Sequence, residues 1–257
     1  MTRPFKDHFS TNSAGYAAHR PTYPAALVQF LADVAPDRHL ALDCGCGTGQ
    51  LSVLLAERFD RVVATDASAE QIAHADAHPR VAYRLVPAER SGMQAGTVDL
   101  VTVAQAAHWF DLPAFYAEVR RVTYPGSILA LISYGVLHVD EPQVEPLLQH
   151  FYWDALGPYW PSERRHVEEG YRSLPFPFAV IEAPMLDIQV QWTLGDLLGY
   201  VGTWSAVRRL EKAAGQGSID DFTRKLAGAW GDPQACRTVR WPLALRVGRV
   251  EDQAAAD

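Results

Sequence analysis

Apolar residues recur along the first half of the chain in two alternating rhythms. Leu27, Phe30, Leu31 and Val34 fall at helical spacing, which predicts an amphipathic helix closing near Pro36. The short apolar run His39–Cys44 then stops at a glycine cluster, and Leu51, Leu54 and Leu55 resume one helical face. Arg61–Asp66, Arg80–Val86, Val98–Ala104 and Ser127–Ser133 are further runs of strand length. Ser68-Ala-Glu-Gln71 has the form of a capping box and predicts a helix start. Asp111 is placed to cap a helix that buries Phe115, Val119 and Val122. Strands that are apolar on both faces and alternate with helices predict a parallel, doubly wound α/β sheet.

After Tyr134 the rhythm breaks. Residues 136–178 are rich in proline and aromatics, as in Phe151-Tyr-Trp153, Pro158-Tyr-Trp-Pro161 and Pro175-Phe-Pro-Phe178, and they predict a lid inserted after the fifth strand. Ala179–Thr193 and Thr238–Val250 read as two last strands, an antiparallel pair at the sheet edge, with helices near 194–212 and 219–230 between them. The expectation is one domain over 1–257 with a seven-stranded, mostly parallel sheet. Residues 1–135 form its core and N-terminal lid segment, 136–178 the aromatic insertion, and 179–250 the C-terminal strands and helices. Only one of the seven tryptophans, Trp109, precedes the insertion. An aromatic cover over an apolar acceptor with a polar end is therefore expected.

Composition narrows the partners. The 257 residues are 48% hydrophobic and 21% charged, ordinary for a folded protein. A net charge of −7 argues against a surface that neutralises nucleic-acid phosphates. Three cysteines cannot all pair, which points to a reducing, cytoplasmic setting. No apolar run reaches the roughly 18 residues of a membrane span, so no membrane partner is expected. His138, His150 and His166 lack metal-ligand spacing, so no metal site is expected.

The informative chemistry lies at Leu42-Asp-Cys-Gly-Cys-Gly-Thr-Gly49. Gly45, Gly47 and Gly49 sit between a strand and a helix, where positive φ and close ligand approach favour glycine. Gln50 stands where a dinucleotide fingerprint wants its third glycine, so an NAD-dependent oxidoreductase is the weaker alternative. Asp43 would repel a pyrophosphate but attract an ammonium or a sulfonium. Asp66 ends the second strand, seventeen residues beyond Gly49, where a carboxylate can accept both ribose hydroxyls. Its alternative is a helix-capping carboxylate. A phosphate-free nucleoside fits this set, and S-adenosylmethionine (SAM) is the natural candidate.

These residues, with Pro87-Ala-Glu89, Thr97–Val101, Ala104–Asp111 and the leader Tyr16–Pro24, resemble the class I SAM-dependent methyltransferases. The likeness is greatest to a small-molecule branch that includes trans-aconitate and ubiquinone-biosynthesis-type enzymes, and it covers about residues 5–135. It implies a Rossmann-like fold and SAM as cofactor. By the same likeness Gly45–Gly49 hold the methionine part with Asp43 near its ammonium, and Asp66 with Ala67 takes the ribose. Ala88 and Glu89 border the adenine, Gln105 lies by the methionine end, and Tyr16 and Arg20 close over the cofactor. Many relatives carry an Asp where this chain has Pro87, which leaves adenine recognition to backbone groups.

His108 lies just after the fourth strand, on the rim where doubly wound sheets bind ligands. It is the candidate general base, or a residue that simply holds a substrate oxygen; the alternative is a structural histidine hydrogen-bonded beneath the lid. Trp109, Tyr134 and Trp204 are candidate walls of the acceptor site. Arg164-Arg165 and Arg208-Arg209 are possible contacts to an anionic acceptor. The expected activity is methyl transfer to an O-, N- or C-nucleophile, including a carboxylate or hydroxyl, of a small molecule by a monomer or homodimer. A non-catalytic SAM-binding module or partner subunit is the other alternative.

Overall fold

The computed structural model describes residues 22–251. Helix α1 (Ala25–Val34) buries Leu27, Val28, Leu31 and Ala32 and ends at Ala35, before Pro36. Strand β1 (Leu40–Cys44) leads through the glycine loop into α2 (Gln50–Leu55). Next come β2 (Arg61–Asp66), α3 (Ala69–Ala73) and β3 (Val81–Leu85). The Ser68 hydroxyl accepts from the Gln71 N–H, as its capping role requires. Strand β4 (Val98–Ala104) precedes α4 (Leu112–Val122), which Asp111 caps through the Ala114 N–H. Strand β5 is Thr123–Tyr134.

β1 to β5 pair in parallel in the order β3-β2-β1-β4-β5. The chain winds from β1 outward to β3, then crosses back to β4 on the other side of β1. The switch between β1 and β4 opens a crevice at their carboxyl ends.

The second half is more divided than the sequence predicts. After β6 (His138–Val139) come α5 (Glu145–His150), a π turn at Phe151–Ala155 and α6 (Arg164–Glu168). The single strand expected over 179–193 is two, β7 (Ala179–Ile181) and β8 (Asp187–Trp192). Pro184 lies in the break; it has no N–H for a ladder. The helix expected over 194–212 is also two, α7 (Leu194–Gly202) and α8 (Ser205–Ala214), followed by α9 (Gly217–Trp230). Strand β9 (Arg237–Arg249) runs antiparallel between β5 and β6 on one side and β7 and β8 on the other. The sheet therefore has nine strands among the described residues rather than seven, because one predicted strand splits and β6 is added. The edge beside β9 is formed by β7 and β8.

Two apolar layers cover the sheet. One joins α1 and α2 to Leu148, Phe151, Tyr152, Trp204, Phe222 and Trp230. The other packs α4, Val167, Tyr171 and Leu174 on the opposite face. Phe151 stacks on Phe222 with centroids 3.9 Å apart, and Trp204 meets Tyr152, Trp160 and Tyr200 within 5.9 Å. Phe151, Tyr152, Tyr159 and Trp160 thus share a core with α7 to α9, while Tyr171, Phe176 and Phe178 pack in the opposite layer. Trp109 and Trp153 stay exposed. Among the described residues no helix is long and apolar enough to cross a membrane.

Candidate active site

The glycine loop is built by strand pairing. Thr65 O accepts from the N–H groups of Gly45 and Cys46 at 2.7 and 3.0 Å, which folds the loop back over β2. Gly45, Gly47 and Gly49 all have positive φ, between 57° and 86°. Space reinforces the choice at two of them. A Cβ on Gly45 would lie 2.6 Å from Ala106 Cβ, and one on Gly49 would lie 2.1 Å from Tyr83 Oη. Tyr83 cannot step aside freely, since its hydroxyl donates to Asp76 O at 2.7 Å.

Asp43 sits beneath this loop, fully buried. Its oxygens accept from Ser52 Oγ at 2.6 Å and Thr102 Oγ1 at 2.8 Å. Burial pushes its pKa up from 3.8 to about 6; the two hydroxyls oppose that rise and Asp66 adds to it. Among the described residues Asp43 has no ion-pair partner. With Tyr23, Gly45, Cys46, Gln50, Leu51 and Ala104 it lines a pocket at the β1 carboxyl end.

Asp66 is half-buried and uses both oxygens on backbone, accepting from Gly47 N–H at 2.9 Å and Ser68 N–H at 2.8 Å. It therefore fixes the loop and the start of α3 together. A carboxylate has about four lone-pair sites, so acceptor capacity for two hydroxyls remains. Ala67 is exposed beside it. Ala88 opens a 3₁₀ turn through Arg90, and Glu89 accepts from the Asp111 N–H at 2.9 Å, tying that turn to the start of α4.

Gln105 follows β4 with φ 59°, a left-handed conformation uncommon for a residue with a Cβ. Its side-chain amide donates to Tyr134 O at 2.9 Å, so the carboxyl ends of β4 and β5 are joined. Such conformations concentrate at functional sites. Tyr134 is buried and meets Tyr23 edge-on at 6.2 Å. His108 belongs to the 3₁₀ turn Ala107–Trp109, its ring 4.6 Å from that of Trp109 and its Nδ1 3.1 Å from Tyr171 Oη. Burial first, then the charges of His166 and Arg164, lower its pKa to about 4, while Glu163 opposes them.

The loop and Asp43 line one crevice with Tyr23; Asp66 joins it through Gly47, Tyr134 through its contact with Tyr23, and Gln105 through Tyr134, while His108 lies on the turn after β4. Trp204 instead lies in the aromatic core of the α7–α8 region. Tyr16 and Arg20 lie outside the described residues. No group of metal-ligating side chains occurs among the described residues. Sequence reading missed Ser52, Thr102 and Tyr171. Only Thr102 left a trace, as a hydroxyl within the apolar run that follows Asp99. The donor set fits SAM: buried carboxylate charge beside a glycine-rich loop suits a cationic tail, and Asp66 suits a ribose.

Residues 42–131 match the family described as the methyltransferase domain. A protein of Dictyostelium discoideum named for methyltransferase activity is 32% identical over 229 residues, 88% of this chain and 87% of that protein. An uncharacterised methyltransferase of Mycobacterium tuberculosis is 38% identical over 125 residues, 48% of this chain and 51% of its own length. A solved chain from Anaeromyxobacter dehalogenans, provisionally named a type II methyltransferase, is 47% identical with a TM-score of 0.87. The match covers 91% of this chain and 99% of that one. The narrower likeness to the trans-aconitate and ubiquinone-biosynthesis branch rests on the sequence motifs alone. Motif, fold and whole-length similarity agree: the chain belongs to the class I SAM-dependent methyltransferases.

Proposed function

We propose that the chain methylates a small-molecule acceptor held at the carboxyl-end rim of β4 and β5. The observation that carries this reading is the crevice at the β1–β4 switch, where buried Asp43 underlies a loop with glycine at every second position and Asp66 holds that loop through Gly47 N–H. Bound SAM supplies an electrophilic methyl on a sulfonium. Asp43 offers its charge to the ammonium, and the loop glycines let the methionine part lie against backbone. Asp66 accepts from the ribose hydroxyls with the lone pairs its backbone contacts leave free. Ala67 stands with Asp66 at the ribose, Ala88 and Glu89 border the base, and Gln105 stands by the methionine end.

For the acceptor, the chain's work is alignment and exclusion of water, which supply most of the rate in a displacement that loses charge. Trp109 and Tyr134 flank the rim. Three free thiols suit a reducing, cytoplasmic compartment. Incubation of the protein with methyl-labelled SAM and a metabolite extract tests the assignment. Label in a low-mass product is expected; label only in protein or RNA contradicts a small-molecule acceptor.

A further inference from the structure

Tyr171 is fully buried and lies 63 residues from His108 in sequence. It is held on several sides. Its φ is +60°, and it follows Gly170, where a Cβ would lie 2.6 Å from Ala244 Cβ. Its N–H donates to His166 O at 2.7 Å, and its carbonyl accepts from Arg246 Nη1 at 2.5 Å. A non-glycine residue in that conformation is strained, so the surroundings over-determine its place. What this clamp aims is the phenol, 3.1 Å from His108 Nδ1.

The direction of that hydrogen bond follows from counting protons. Burial pushes the Tyr171 phenol well above its usual range, so it keeps its O–H and must donate it. Among the described residues the acceptor within reach is His108 Nδ1. The Ala107 N–H approaches the phenol oxygen and uses a lone pair, leaving the proton to His108. Were Nδ1 to carry a proton instead, the buried O–H would be left without a partner, which burial disfavours. With Nδ1 accepting, the imidazole proton must sit on Nε2. Nε2 has no partner among the described residues.

We propose that Tyr171 is a positioning residue that locks His108 as a neutral imidazole with its proton on Nε2, so that the ring offers the acceptor a hydrogen-bond donor and not a base. This rests on the assignment of the β4 rim to the methyl acceptor. The nucleophile then brings its own lone pair to the site, and His108 orients it. The charges that act on the ring, Arg164 and His166 against Glu163, do not reverse this, because burial outweighs them.

The test is the ring itself. In protein labelled with ¹⁵N-histidine, long-range ¹H–¹⁵N spectra report which nitrogen carries the proton, and His108→Gln identifies the signal. The expected result is a single Nε2–H tautomer, unchanged from about pH 5.5 to about pH 8 for a group held well below about 6.5. In Tyr171→Phe, with the other histidine signals in place, the tautomers mix and the ring titrates closer to an ordinary histidine. A wild-type ring protonated on Nδ1, or titrating near pH 6.5, overturns the proposal, whether or not Tyr171→Phe folds. The spectrum needs no cofactor, so a failure of SAM binding is read separately.

Discussion

Replacing Asp43 by Asn removes a charge from the interior with little change in volume. The carboxylate is fully buried, and its two hydroxyl partners, Ser52 and Thr102, can turn to satisfy an amide. In the folded protein its pKa is raised from 3.8 to about 6, so the native state holds this proton more tightly than the unfolded chain. Stability from this group is therefore fully present below about pH 3.8 and is lost as pH rises through about 6. The whole swing is about 3 kcal/mol at about 1.4 kcal/mol per pH unit of displacement. Between about pH 4.5 and about pH 7, linkage gives about 2 kcal/mol of it. Urea unfolding of wild type and Asp43→Asn at both pH values isolates the term, because other carboxylates cancel in the difference. The variant should gain about 2 kcal/mol on wild type between the lower and the higher pH, whatever its intrinsic offset. A difference that stays flat with pH refutes the account of a buried, unpaired carboxylate.

Asp66→Ala strips the acceptors from Gly47 N–H and Ser68 N–H, so it should cost about 1–3 kcal/mol of stability as well as at least about tenfold in S-adenosylhomocysteine affinity. Calorimetry that shows neither loss sets aside both roles. Gly49→Ala must hold φ +86° and drive a Cβ into the Tyr83 ring; a melting-temperature fall worth more than about 1–2 kcal/mol is expected, partly recovered by adding Tyr83→Ala. Wild-type stability in the single variant speaks against the loop geometry. Phe151→Ala removes a ring stacked at 3.9 Å on Phe222 and should destabilise by about 3–5 kcal/mol in urea, while a change under about 1 kcal/mol would mean that the aromatic region is not part of the main core.

The parallel half of the fold was legible because its signals are local. Strands apolar on both faces, a Ser cap and an Asp cap each declare themselves within a few residues, and β4 forms over the predicted Val98–Ala104. The second half was harder because its breaks are small. Pro184 divides β7 from β8, and Gly202-Thr-Trp204 divides α7 from α8, where Thr203 Oγ1 donates to Tyr200 O instead of continuing a single helix. In the crevice, glycines and acids were readable from spacing, but their supports were not. Thr102 reaches Asp43 across 59 residues and Tyr171 reaches His108 across 63, contacts that exist only once β1, β4 and α6 are assembled. Glu89 and Asp66 likewise carry backbone contacts that no motif announces. Asp66 does not cap the helix that follows, a role Ser68 fills; it accepts from Ser68 N–H and Gly47 N–H instead.

Isothermal titration of the folded protein with S-adenosylhomocysteine puts the central claim to the most direct test. One molecule bound per chain, with affinity that falls at least about tenfold in Asp66→Ala, is the predicted result. Well-folded protein that gives no heat of binding, or that binds NADH instead, would contradict it.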